Sequence, residues 1–557
     1  MRAANGEGRL RWLVFAALAL AVLYALAGVA AMWWLSPRVP YADAWRFLAH
    51  FLQAPFPQDV LAPDNGHHEL LPNLVRVFEL RAFDAGQWVQ VAVGIALALA
   101  TVLVLARGLR TQADAGTRAA ALLAVVLGVC WLGNVRALAH GNESVHAYAV
   151  TLLLALGVHA LARGREGAAG TRDAALAAAC GLAAAFSFGS GIACFAGFAA
   201  VLALRRAPWR QWAAFGVGLV ATLVLLQADG GTGAAFSVAP LRQAGLLLRW
   251  LSGPFVYAAW PLLDPQVAAQ VPVAAARAPA QAVALGYTAM FGPVLLARWP
   301  QSLIGLGGLA WLAALAWRAW RDRTAAALPG IALACFAAAT GAMIAVVRLG
   351  YFDAHPEQLL APRYVVWSSL FWAGLLLASI AHARRPARAL AATVCVALAL
   401  LPSQLWMARL GGHVRVVAER TALAAAVGVV EPGLPLGETV PSELAASLPR
   451  LRDAGKAMFA WPEARWLDRA PAPGALRVLD TSGMQVVAVG NRLDPRAPGR
   501  RVRFTLDGAP AERLLLLDGN GVVRGLAMRD RGGGRDAWIG WMRGDASAAA
   551  PRVAAMR

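Results

Sequence analysis

Apolar residues run along this chain in long blocks, and polar clusters break the blocks at intervals. Blocks at about 11–35, 87–106, 119–135, 147–163, 174–187, 190–204, 213–228, 303–320, 325–347, 364–382 and 388–407 approach the roughly 20 apolar residues that a helix needs to cross a bilayer. They predict an all-α polytopic membrane bundle. Two further apolar stretches, 245–262 and 283–298, are interrupted by Pro254, Pro261 and Pro293. They read either as horizontal helices at the outer interface or as two more crossings, which makes the total about 11 or 13 transmembrane helices. The first block, Trp12 to Leu35, follows Arg11 and ends in Trp33-Trp34 without a small-residue cleavage site. It is too long for the apolar core of a signal peptide and reads as a retained span.

The polar clusters alternate in charge. Arg107/Arg110/Arg118, Arg163/Arg165/Arg172, Arg205/Arg206/Arg210, Arg318/Arg321/Arg323 and Arg384/Arg385/Arg388 fall on the side of the N-terminus, and the connections between them are poorer in arginine. The positive-inside rule then puts the N-terminus in the cytoplasm. Residues 174–204 have arginine clusters at both ends, so the stretch enters and leaves on one face. Each arm is about 14 residues, short for a crossing, which predicts a hairpin turning inside the membrane near Ser187-Phe188-Gly189-Ser190-Gly191. A close-packed pair of small-residue helices is the other reading.

From about residue 408 the pattern changes, and no later run is long enough to span. The domain reading is therefore 1–407 in the membrane, with an outer loop at 36–86, and 408–557 as a C-terminal domain that parity places outside. Residues 412–470 read as helical, punctuated by Pro432, Pro435 and Pro441. Beyond 475 come short β-type runs: Leu476–Leu479, Gln485–Val489, Val502–Leu506, Leu514–Leu517, Val522–Leu526 and Trp538–Trp541. Asp518-Gly519-Asn520-Gly521 between two of them is a hairpin signal. The expected appendage is a small α+β or β-sandwich-like domain. It lacks the spaced carboxylates of a calcium loop.

Composition agrees with the pattern. Of 557 residues, 59% are hydrophobic and 15% charged, and a soluble chain carries about 25% charged. The net charge of +20 sits mostly in the short arginine clusters, where membrane orientation and anionic lipid account for it better than nucleic acid does. Cys130, Cys180, Cys194, Cys335 and Cys395 all fall in apolar blocks without a metal-type spacing and read as packing residues.

Candidate chemistry gathers in three outer connections. The first holds Asp43 in Tyr41-Ala-Asp43-Ala-Trp45, then Asp64-Asn65-Gly66-His67-His68-Glu69, then a run in which Leu70, Leu71, Leu74 and Phe78 recur at helical spacing with Arg76 on another face. That run predicts an amphipathic helix over 70–83 lying on the membrane. Asp43 has the chemistry of a base for an acceptor hydroxyl, and equally that of a helix N-cap. Asp64, His67, His68 and Glu69 carry metal-ligand chemistry, but adjacent histidines diverge on a helix and no ligand spacing is matched. Polar capping and interfacial hydrogen bonding is the preferred reading. The second connection holds His140, Asn142, Glu143 and His146, either a polar face at the mouth of the bundle or a solvated loop. The third holds Asp353, His355 and Glu357 before Pro362-Arg363-Tyr364, where Arg363 is placed either to hold a lipid phosphate or to snorkel beside an interfacial tyrosine. All three connections are expected on one face. Trp461, Trp466, Trp538 and Trp541 read as stacking platforms for glycan or, more simply, as core.

An aspartate just after the first span (Asp43), an outer loop with an amphipathic helix (70–83), many spans, an intramembrane hairpin and a C-terminal outer domain together resemble the GT-C superfamily of polytopic glycosyltransferases. The stretches Asp64-Asn-Gly-His67-His68-Glu69-Leu-Leu-Pro72 and Pro362-Arg363-Tyr364 also resemble a set of uncharacterised bacterial multi-span proteins. The first resemblance implies sugar transfer from a polyprenyl-phosphate donor to an extracytoplasmic glycan, lipid or protein acceptor at the bacterial inner membrane. By analogy it implies Asp43 as catalytic base and Arg363 as phosphate ligand; Asp64, His67, His68, Glu69, Arg76, His140, Asn142, Glu143, His146, Asp353, His355 and Tyr364, from the same outer connections, are read on their own chemistry as further substrate contacts. It implies no cofactor and no required metal. No Trp-Trp-Asp-Tyr-Gly-like sequence occurs, which disfavours an oligosaccharyltransferase. A transporter or lipid flippase, and a non-enzymatic scaffold displaying 408–557, are the competing classes.

Overall fold

The computed structural model describes residues 2–64, 66–108, 114–227, 238–271, 273–437, 439–472, 474–508, 511–532, 534–544 and 549–557. Asn65, Arg110 and residue 228, the end of the block 213–228, lie outside the described residues. The chain divides into two compact units, one formed by Met1–Leu35, Pro63–Pro72 and Val91–Gly411, the other by Ser36–Ala62, Asn73–Gln90 and Gly412–Arg557.

The first unit is a multi-pass helical bundle. Among the described residues, nine helices are long and apolar enough to cross a membrane: Leu10–Leu35, Trp88–Gly108, Ala115–Leu138, Gly141–Ala162, Trp209–Gln227, Arg298–Asp322, Ala325–Val347, Pro362–Ala381 and Pro386–Val427. Each overlaps an expected block, but Pro386–Val427 runs twenty residues beyond the expected end at 407, into the stretch read as the start of the C-terminal domain. The other two blocks form the hairpin, Gly167–Ala185 and Cys194–Leu204. Its first arm is longer than expected because the helix begins before Arg172 and draws a polar turn into the apolar run.

The proline-interrupted stretches become Pro240–Leu251, Gly253–Leu263 and Ala274–Phe291, and none of these is among the nine. Two of the prolines sit at breaks: Pro254 starts a helix, where its missing N–H costs nothing, and Pro293 follows the end of another; Pro261, expected to interrupt the run, lies inside Gly253–Leu263. Buried side-chain hydrogen bonds tie the bundle together. Tyr24 donates to the Ala397 carbonyl at 2.6 Å, Trp131 to Ser403 at 3.0 Å, and Ser369 to Asn134 Oδ1 at 2.8 Å.

The second unit is α+β. Its strands are β1 Leu476–Leu479, β2 Ser482–Val489, β3 Gly499–Thr505, β4 Arg513–Leu517, β5 Val523–Arg529, β6 Ala537–Arg543 and β7 Arg552–Met556. They form one antiparallel sheet in the order β1-β7-β4-β5-β6-β3-β2. The Asp518–Gly521 signal is the β4–β5 hairpin, where Asp518 Oδ1 accepts from the N–H groups of Asn520 and Val522, both at 2.9 Å. Only β7 was illegible, because its short Ala-rich run carries neither β-branched nor aromatic bias beyond Val553. Trp538 and Trp541 are core, 1% and 0% exposed.

In the same unit the helix Ala44–Phe51 packs on Pro441–Asp453, and Thr439 donates to the Ala42 carbonyl at 2.5 Å. Arg81 pairs with the buried Asp59 at 2.7 Å, and Lys456 with Asp84 at 2.6 Å. The expected amphipathic helix is Leu70–Ala82, and it is partly inverted relative to a soluble one. Asn73, Arg76 and Glu79 are buried, while Leu71, Leu74 and Phe78 are 38%, 41% and 56% exposed. Arg81 stays exposed and Val77 and Leu80 are buried, so one side of the helix hides polar and apolar groups together and the side with Leu71, Leu74 and Phe78 is suited to a lipid interface.

Candidate functional site

Each unit holds a polar cluster. In the second unit Asp43 directly precedes Ala44–Phe51 with helical backbone angles, and its carboxylate makes no capping hydrogen bond to that helix. It lies 3.4 Å from the Arg46 guanidinium, which is itself 3.3 Å from Glu443. The Asp43 side chain is 36% exposed. With about a third of its side chain exposed, the carboxylate is partly accessible to solvent. Arg76 is enclosed: it is 2% exposed, donates to Asn73 Oδ1 at 2.7 Å and lies 4.6 Å from the centre of the Phe47 ring. That position suits it to hold the loop together.

In the helical unit the second connection is not a solvated loop. Glu143 is the centre of a buried network at the start of Gly141–Ala162. His146 Nε2 lies 3.0 Å from Glu143 Oε2, Arg136 donates to Oε1 at 3.3 Å, and His140 Nδ1 is 4.0 Å from Oε1. The side chains of His140 and His146 are 5% exposed, and those of Arg136 and Glu143 are 12% and 13%. His146 Nδ1 and the Asn142 side-chain oxygen are buried, with no hydrogen-bond partner among the described residues.

The hairpin turn closes over this network. The Phe188 ring stacks on His146 at 4.2 Å and 3°, touches His67 at 5.0 Å and parallels Trp367 at 6.3 Å. Glycine is required here twice. A Cβ on Gly191 would lie 1.9 Å from the Ala184 carbonyl oxygen, and one on Gly189 would lie 2.3 Å from His67 Nδ1. The Ser187–Gly191 motif thus folds as a turn that presses its backbone against an imidazole. Ser190 Oγ is another buried atom without a partner among the described residues.

His67 and His68 diverge, the first onto Phe188 and the second onto Phe186 at 5.4 Å. Asp64 and His67 exchange backbone hydrogen bonds at 2.8 and 2.9 Å around Gly66, whose φ is 76°. Glu69 is 5% exposed. Among the described residues no group of three or more His, Cys, Asp or Glu side chains is placed to hold a metal ion. Burial pushes the His67 imidazole below its ordinary 6.5; Arg348 and His146 push the same way, and Glu69 and Asp64 oppose them.

The third connection splits. Tyr364 is 7% exposed and receives a hydrogen bond from Arg348 at 3.1 Å, and Arg363 reaches Gln358 at 3.5 Å with its guanidinium 5.1 Å from the Tyr364 ring centre. Asp353 and His355 are exposed, the first paired with Arg242 and the second tilted against the Tyr351 ring at 5.0 Å, and they do not join the buried network. Sequence reasoning passed over Arg136 and Arg348. Each is a lone arginine at the end of an apolar run away from the arginine clusters, and an isolated charge at a span's end was the available signal.

No protein-family model and no curated protein matches the sequence. Among solved structures, ArnT from Cupriavidus metallidurans in the apo state is similar over 81% of this chain and 88% of its own, at 17% identity and a TM-score of 0.37. The Archaeoglobus fulgidus oligosaccharyltransferase in complex with Zn and sulfate is similar over 75% of this chain and 58% of its own, at 13% identity and a TM-score of 0.37.

Proposed function

We propose that this protein is a membrane glycosyltransferase of the GT-C type, moving a sugar from a polyprenyl-phosphate donor to an extracytoplasmic glycan, lipid or protein acceptor. Asp43 is the general base. The acceptor oxygen attacks C1 of the sugar as its proton passes to the Asp43 carboxylate, and the C1–O bond breaks with its electron pair leaving on the lipid phosphate. The observation that carries this reading is the state of Asp43: it stands just past the first span, makes no capping bond to the helix after it and keeps an exposed face.

Arg363 is assigned the donor phosphate, because a guanidinium matches phosphate oxygens in pairs. Asp64, His67, His68, Glu69, Arg76, His140, Asn142, Glu143, His146, Asp353, His355 and Tyr364 are assigned to substrate in the wider sense, with Glu143 and His146 the most enclosed and Asp353 and His355 the most exposed of them. The reading needs no metal. It places the protein in a bacterial inner membrane, with the N-terminus cytoplasmic and 408–557 periplasmic, supported by the alternation of arginine clusters.

One observation favours a transporter instead: the charged network around Glu143 is buried at the start of a candidate span beside a short hairpin. The deciding experiment is transfer of radiolabelled sugar from a panel of polyprenyl-phosphate donors in membranes containing wild type or Asp43→Asn at matched expression. Wild-type transfer that falls by about 10²–10⁴-fold in the variant is the expected result. Equal transfer removes Asp43 as base, and no wild-type transfer with any donor removes the transferase reading.

A further inference from the structure

In the helical unit one arginine is enclosed without a counter-charge. Pro240–Leu251 crosses Arg298–Asp322 so closely that a Cβ on Gly305 would lie 2.0 Å from the Leu248 carbonyl oxygen. The next residue at that crossing is Arg249, 7% exposed. Its Nε donates to Gln301 Oε1 at 2.9 Å, and Gln301, 1% exposed, is fixed in turn through its Nε2, which donates to the Val294 carbonyl at 2.8 Å. Arg249 Nη2 is buried with no hydrogen-bond partner among the described residues. No carboxylate pairs with this guanidinium among the described residues, and the charge that acts on it is a second cation, Arg298. Arg242, two turns earlier on the same helix, is exposed and paired with Asp353. The buried arginine therefore has less compensation than the exposed one. Its place in the last turn, at the negative end of the helix dipole, offsets only part of that deficit.

Gln301 lies in the first turn of Arg298–Asp322, so the Arg249 guanidinium stands at the N-terminus of that helix. The N-cap is Ala297, and no side chain caps the N–H groups of Arg298 and Trp299. A helix start of this kind attracts anions. The helix is one of the nine candidate spans, which puts its first turn at the depth of lipid head groups, and Trp299, 77% exposed, suits that depth. Its far side is open, with Leu303 and Leu306 64% and 54% exposed.

We propose that this helix start binds the phosphate of an acidic phospholipid, its oxygens meeting the Nη edge of Arg249 and the N–H groups of Arg298 and Trp299, with the Arg298 side chain at the rim. Two guanidiniums beside a helix N-terminus, with no carboxylate paired to Arg249, select a head group of net negative charge over a zwitterionic one. The position at the end of a span, on a helix whose other side is apolar and exposed, selects a phosphate of the surrounding bilayer over a soluble one. The site does not depend on the transferase reading, since a transporter or a scaffold could carry it as well.

The test uses the full chain in dodecylmaltoside micelles and the anisotropy of a fluorescent phosphatidylglycerol, competed with unlabelled phosphatidylglycerol, phosphatidylcholine, a polyprenyl phosphate and inorganic phosphate. Phosphatidylglycerol is expected to compete, and the other three to compete at least about tenfold more weakly, since hydrogen bonds between charged groups contribute about that much. Arg249→Gln should bind the probe roughly tenfold or more weakly for the same reason. Arg298→Ala changes an exposed side chain, so it should keep the wild-type melting temperature and weaken binding about fivefold, which tests the site even where Arg249→Gln fails to fold. Arg242→Ala removes the same charge elsewhere and should bind as wild type does. The proposal is overturned if phosphatidylglycerol fails to bind, if either folded variant at the site binds it as tightly as wild type, or if Arg242→Ala weakens it as much as Arg298→Ala. It is overturned equally if phosphatidylcholine or inorganic phosphate competes as well as phosphatidylglycerol, or if the polyprenyl phosphate competes as well or better, which would give the site to a lipid-linked donor.

Discussion

Glu143 and Asp43 are both carboxylates close to a helix start, read from the sequence as parts of one outer site, and the structure treats them differently. Glu143 is 13% exposed and is held by Arg136 and His146, with His140 beside them. Asp43 is 36% exposed beside Arg46. The difference shows that residue type nominates a site, but burial decides what a substitution will report. A change at Glu143 is expected to disturb the fold first, whereas a change at the more exposed Asp43 is expected to leave stability nearly intact.

The contrast breaks most directly by mutation. Glu143→Ala leaves the Arg136 guanidinium without its buried counter-charge, and losing one partner of a buried pair costs about 3–5 kcal/mol. Residual exposure places the expectation at the lower end, about 3 kcal/mol. Asp43→Asn should stay within about 0.5 kcal/mol of wild type, as surface changes do. Thermal unfolding in one detergent measures both, and equal midpoints for the two variants would erase the distinction.

The next effect is at the hairpin turn. Gly189→Ala places a methyl group 2.3 Å from His67 Nδ1, so the imidazole or the turn must shift, at about 1–3 kcal/mol. Phe188 should then lose its parallel stack on His146. A melting temperature unchanged in Gly189→Ala would mean that the turn does not rest on His67.

These two regions also show how far the sequence was readable. Span positions, the hairpin, six of the seven strands and the β4–β5 turn follow from apolar periodicity and turn chemistry, which are local. The site was readable only as a set of residue types. That Glu143 would be enclosed depends on Phe188, some forty residues later, coming to lie on His146, and on Arg136, a single arginine in an apolar run. The partial inversion of Leu70–Ala82 was hidden for the same reason: its spacing showed an amphipathic helix, and only packing of Arg76 against Phe47 showed that polar groups lie on the buried side.

A smaller effect sharpens the comparison through pH. Burial holds the His67 imidazole below 6.5, while an unfolded histidine protonates near 6.5. As pH falls through 6.5 the unfolded chain therefore binds a proton that the folded chain refuses. His67 contributes stability that is intact above 6.5 and declines below it, down to its folded value. The groups acting on it are Arg348, His146, Glu69 and Asp64. Unfolding midpoints at pH 8, 7, 6 and 5 should fall more steeply in wild type than in His67→Gln, and parallel curves would show that His67 is not held neutral.

The smallest effect is expected at Asp353, a carboxylate nominated on the same grounds as Glu143. It is paired with Arg242, but both side chains are exposed, 47% and 60%. Water and salt screen such a pair, and holding two long side chains together costs rotamer entropy, so exposed pairs contribute about 0–1 kcal/mol. Asp353→Ala should therefore leave the melting temperature nearly unchanged at physiological salt, with any loss disappearing at about 1 M salt, where screening acts over only about 3 Å. Glu143→Ala should keep its deficit in the same salt, because its partners are enclosed. Salt dependence of Glu143→Ala equal to that of Asp353→Ala would mean that the network around Glu143 is wet, and that the two carboxylates differ in neighbours but not in burial.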